Sequence, residues 1–117
     1  MLFLASIIYN PSQPRRADDP ENLQPEHARL EASLRETGQY IAGAGLYPVE
    51  YYARRVVREG EGFVVRDGPF AESKEAIGGF FLIDCEDVGA AVEIAKRIPV
   101  DSRSFVEVRR VGIWSGP

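Results

Sequence analysis

The sequence predicts one helix-and-sheet domain that pairs with a second copy of itself through its sheet. Three observations predict this. The 117 residues are the length of a single domain, taken as 1–117. Their patterns run β-α-β-β-β-α-β, so two helices must serve a sheet of four or five strands. Residues 2–9 and 79–85 are apolar on both alternations, so both faces of their sheet need cover, and two helices bury only one. Left in water, the other face is an aggregation hazard. Covering it with a second copy gains roughly 25 cal/mol per Å2, less the cost of association. The sequence therefore predicts a two-fold homodimer with its sheets face to face. The polar loop at 10–24 would make a poor cover.

Each element has its own reason. LFLASIIY, residues 2–9, is rich in strand formers and stops at Asn10-Pro11. It has no basic leader, so it reads as a buried strand rather than a signal peptide. NPSQPRRADDPENLQ, residues 10–24, carries three prolines and no periodicity. A loop of that length inside a domain is commonly a lid or a mobile segment. A helix is expected from Pro25 to about Ala44, with Pro25 suited to its first position and Glu26 to its positive end. Leu30, Leu34 and Ile41 form its stripe, Gly38 is a weak point inside it, and Gly43 and Gly45 are its stops. Residues 51–58 and 62–67 form a hairpin around EGEG, whose glycines supply positive φ. Residues 79–85 form a strand, and 87–97 a helix with Val88, Ala91, Val92, Ala95 and Ile98 facing the core. Pro99 blocks its continuation, and residues 104–113 are the last strand.

Composition excludes several functions. There are 14 basic against 18 acidic residues, a net charge of −4 with no basic patch, which disfavours nucleic acid and anionic membranes as partners. No apolar run reaches the ~20 residues of a membrane helix. Cys85, the only cysteine, rules out an internal disulfide and a cysteine zinc site, fits a reducing cytoplasm, and reads as a small buried hydrophobe. One histidine without a clear i+4 ligand is a weak metal signal, and no metal is expected. No nucleophile elbow, phosphate loop or dinucleotide fingerprint appears, so no cofactor is expected.

The corner between the third and fourth strands is the densest feature. Asp67 nucleates a turn, Gly68 can take a positive φ, Pro69 fixes its own, and Phe70 is aimed at the core as an anchor. AESKEAI has no strand pattern and suits one helical turn, and Gly78-Gly79 permits a bulge or close backbone approach. DGPFAESKEAIGGFFLID resembles the signature of the YCII-related, DGPF-domain family, D-G-P-F-x-E-S/T-K-E-x-L/I/V-G-G-F/Y. It does so at Asp67, Gly68, Pro69, Phe70, Glu72, Ser73, Lys74, Glu75, Gly78, Gly79 and Phe80. The similarity covers most of the chain, including RIP after the second helix and VEVR in the last strand; the proline-rich loop and the start of the first helix depart from it. The resemblance implies an α+β, ferredoxin-like sandwich with an antiparallel sheet, forming a dimeric α/β barrel. Related YCII-like proteins point to an enzyme with a His and an Asp in the barrel cleft. DGPF members point to association with an extracytoplasmic-function sigma factor.

The site residues follow. Glu72 and Lys74 beside Asp67 read as a small polar pocket, with Lys74 holding an anion, or as a solvated charged loop. Glu107 and Arg109, two apart on a strand, share the inner barrel face, with Val106 and Val108 against the helices. They form either a cleft ion pair in which Arg109 grips a carboxylate or phosphate, or a salt bridge that sets dimer register. His27, on the first turn of its helix, is an acid–base candidate with Asp67, or a partly exposed helix-end residue. The expectation is a dimer binding a small, in one version anionic, ligand near the corner. An enzyme and an interaction module are the alternatives.

Overall fold

The computed structural model describes residues 1–68 and 74–117. In chain order its elements are β1 (Leu2–Tyr9), α1 (Gln24–Glu36), β2 (Tyr40–Gly45), β3 (Arg54–Glu59), β4 (Gly62–Asp67), β5 (Ala76–Asp84), α2 (Val88–Ala95) and β6 (Ser104–Arg110). Four strands form one antiparallel sheet in the order β2-β5-β1-β6, while β3 and β4 pair only with each other. This α+β arrangement is compatible with a ferredoxin-like fold. No helix among the described residues is long and apolar enough to cross a membrane.

The expected helix to Ala44 is wrong in its second half. α1 ends at Glu36, and Gly38 is its stop rather than a weak point, with φ +74°. The Gly38 N–H donates to the Arg35 carbonyl at 3.2 Å, and Gln39 N–H to the Leu34 carbonyl at 2.9 Å. This double closure is a left-handed glycine stop. The chain then turns back as β2, and Ile41 lies in a strand, not on the helical stripe. At the other end no side chain caps the helix directly; Asn22 Oδ1 accepts from the Gln24 N–H at 3.0 Å instead.

α2 is capped by Asp87, whose Oδ1 accepts from the Ala90 N–H at 2.8 Å. Its core stripe is Ala91, Ile94, Ala95 and Ile98, whereas Val88 and Val92 point outward. The expected stripe was thus rotated, because several registers of an all-apolar run satisfy helical spacing and only packing selects one. Both helices cover the sheet face bearing Phe3, Ala5, Phe81 and Ile83. Val106 and Val108 join this core, as alternation requires.

By register, Leu4, Ser6, Ile8, Ile77, Phe80, Leu82, Phe105, Glu107 and Arg109 share the opposite face. Ile77 is 53% exposed and Phe105 47%, so this face is oily and partly open in one chain. The β3–β4 hairpin turns at Gly60, with φ +62°. It leaves Val56, Phe63 and Val65 exposed.

Candidate functional site

Four strand ends meet beneath the first turn of α1. There β1 finishes at Tyr9, β2 at Gly45, while β5 and β6 begin. The two glycines inside β5 shape this end. Gly78 is the extra residue of a bulge, since Ile7 pairs with Gly79 and Ile8 with Ile77. At Gly79 the β2 backbone comes so close that a Cβ would stand 2.6 Å from the Ala44 carbonyl oxygen. Both expected uses of the pair, bulge and close approach, are present, one at each residue. The result is an open cavity of about 630 Å3 between α1, the 10–24 loop and the strand ends.

His27 projects into this cavity from α1. Its ring stacks on Phe81, centroids 5.9 Å apart and planes within 9°. Burial lowers its pKa, partly offset by the Pro99 backbone carbonyl and by Glu26. The imidazole is therefore held neutral near pH 7. Tyr40 meets Phe81 edge-on at 6.3 Å. Its pKa is raised, first by burial and then by its bond to Glu31. Arg35 lies 4.4 Å from the centre of the Tyr40 ring and bonds Glu31 at 3.2 Å. Gly43 leaves room for the phenol, since a Cβ there would lie 2.9 Å from the hydroxyl.

The far wall is an Asp101–Arg103 pair. Asp101 Oδ2 accepts from Arg103 Nη2 at 3.0 Å and Nε at 3.2 Å, and Oδ1 from Ser104 Oγ at 2.8 Å. Burial opposes ionisation of Asp101, but these bonds outweigh it and hold the carboxyl below its usual range. Arg103 also lies 5.4 Å from the centre of the Tyr9 ring.

The long loop after β1 is a wall of the cavity through Pro11, Asn22 and Leu23. It is strapped down by Asp19, which accepts from the Ser102 N–H (2.9 Å), Ser102 Oγ (2.6 Å) and Arg16 N–H (2.8 Å). The Ser102 hydroxyl is the main reason that the Asp19 carboxyl titrates low.

The residues singled out in the sequence do not all gather here. His27, Gly78 and Gly79 line the cavity. Asp67 does not line it; it is exposed at the end of β4 and pairs with Arg54 at 2.9 Å. Gly68 has no positive φ; its N–H donates to the Ala53 carbonyl at 2.9 Å, and a Cβ would stand 2.8 Å from the Val49 carbonyl. That packing joins the corner to the 46–50 segment, which supplies Leu46, Pro48 and Glu50 to the cavity rim. Lys74 is exposed ahead of β5, and Glu107 and Arg109 are exposed on the open sheet face, away from His27. Pro69, Phe70 and Glu72 lie outside the described residues. Cys85 is buried, and burial pushes its thiol up. Sequence reasoning missed Tyr40, Asp101 and Arg103. Tyr40 was hidden by the overlong helix; the D-S-R-S run at 101–104 is a turn signal that could have drawn notice.

Comparison with known proteins agrees with this architecture. The family model of the YCII-related domain matches residues 1–115. An uncharacterised protein of Rhizobium meliloti (strain 1021) is 31% identical over 118 residues, covering 97% of this chain and 94% of the relative.

Proposed function

The chain belongs to the YCII-related domain family, and on that premise we propose that it is a homodimer binding a small molecule in the cavity beneath α1. The observation that carries the reading is His27. A lone imidazole, kept uncharged and fixed against Phe81, stands in the wall of a cavity large enough for a metabolite. Apolar walls at Ile7, Leu23 and Val100 supply contact area, and the polar groups orient the ligand. The open sheet face supports pairing, because Ile77 and Phe105 are large and half exposed at its rim.

The test is a thermal-shift screen of metabolites on the wild type, His27→Gln and Arg109→Ala. A hit lost only in His27→Gln supports the cavity. A hit lost only in Arg109→Ala moves the site to the open face and overturns the reading.

A second reading is an enzyme, favoured by the neutral ring of His27, which suits a general base. Since Asp67 is engaged by Arg54, acid–base work in this cavity would rest on His27. Turnover of a screened hit, abolished by His27→Gln while binding survives, separates catalysis from binding.

A further inference from the structure

The charge of the ligand can be read from the cavity wall, granted the small-molecule reading above. Among the described lining residues the charged side chains are Glu31, Glu50, Asp101 and Arg103. The one cation, Arg103, is already engaged. Its Nε and Nη2 both donate to Asp101, and its guanidinium lies over Tyr9. Arg15, just behind, is held by the Pro20 carbonyl and lies 3.9 Å from Asp101. Asp101 is paired with Arg103 and Glu31 with Arg35, so an incoming carboxylate or phosphate would find each arginine here committed and would meet Glu50, which pairs with no described residue. Like charges set together cost binding free energy.

The ionised groups of the wall also lean towards acceptors. The Pro99 carbonyl against the His27 ring favours an N–H on the nitrogen that faces it. In a neutral ring the other nitrogen then carries a lone pair. Glu31 and Glu50 are acceptors only. Asn22, Gln24 and Tyr9 add neutral donors, but apart from Arg103 every ionised group of the wall is an acceptor.

We infer that the cavity takes a small uncharged or cationic molecule that donates a hydrogen bond from a hydroxyl or amine, and that it turns away carboxylates and phosphates. The face of Phe81 is taken by His27, so an aromatic or alicyclic body would lie along Ile7, Leu23 and Val100 with its donor towards His27 and Glu31.

Three probes of one size test this: benzylamine, benzyl alcohol and benzoate, each titrated into the 15N-labelled full chain. The amides of His27, Gly43 and Gly79 report the cavity. The expected result is that benzylamine and benzyl alcohol shift these amides with dissociation constants at least about tenfold below that of benzoate. Glu31→Gln should shrink the benzylamine advantage and leave benzyl alcohol little changed. Benzoate binding at these amides as tightly as the other two overturns the inference and leaves the small-molecule reading standing. If none of the three moves these amides, the small-molecule reading falls and the inference falls with it.

Discussion

Adjacent glycines of β5 should respond oppositely to the same one-methyl change. In Gly79→Ala the new Cβ would lie 2.6 Å from the Ala44 carbonyl oxygen and 3.3 Å from the Gly45 Cα. Both atoms are backbone of β2, so relief requires moving that edge strand away from β5 and stretching their ladder. Overpacking of this kind costs about 1–3 kcal/mol. For a chain of this length that lowers Tm by roughly 4–12 °C. In Gly78→Ala the Cβ meets the Tyr9 ring at 3.4 Å and the Ile7 carbonyl at 3.8 Å, both ordinary contacts, and φ is not left-handed. Alanine also restricts the unfolded chain, worth about 0.4–1 kcal/mol in its favour. Gly78→Ala should therefore unfold about 2–4 °C above the wild type. Thermal unfolding followed by circular dichroism, at one fixed protein concentration because the Tm of a chain that pairs as proposed would depend on it, decides the matter. Equal losses for both variants, or a Gly79→Ala protein as stable as the wild type, would refute the close-approach argument.

Three further outcomes follow from the same geometry. His27 is the only histidine, so its imidazole gives a single NMR titration; its midpoint should lie below the ordinary 6.5, because burial disfavours the charged ring. The unfolded chain then binds the proton first as pH falls. The stability that His27 contributes is complete above pH 6.5 and is lost as pH drops from there to the folded midpoint, a loss absent from His27→Gln in urea unfolding. A midpoint above 6.5 contradicts this. Asp19→Asn loosens the strap to Ser102, so trypsin should cut at Arg15 and Arg16 several-fold faster than in the wild type, with Tm little changed; equal rates would show that the loop is held by other contacts. Phe105→Glu puts a charge beside Ile8 on the open sheet face, and light scattering at micromolar concentration should show dimers giving way to single chains. A variant that pairs as tightly places any dimer contact elsewhere, and a wild type that runs as single chains removes the proposed pairing.

The amino-acid sequence by itself determined most of the elements, because their signals are local. The apolar, strand-forming run of residues 2–9, Asp87 ahead of an apolar helical run, and a glycine turn at 60 each act within a few residues of backbone. The double glycine likewise announced a bulge and a tight approach before any partner strand was known. What the sequence could not settle was decided by pairing over long chain distances. β2 exists because Gly38 halts α1 and β5 offers a free edge; its own residues, YIAGAG, are as compatible with a weak helix. The cavity depended on tertiary structure even more. His27, Tyr40, Phe81 and Asp101 come from four separate segments, and only the order β2-β5-β1-β6 brings them together. The same order explains why Asp67, adjacent in motif to Gly78-Gly79, stands apart from His27: the hairpin carries it away from the sheet on which the glycines lie. Spacing along a chain fixes faces within one element, whereas proximity between elements is set by which strands share hydrogen bonds.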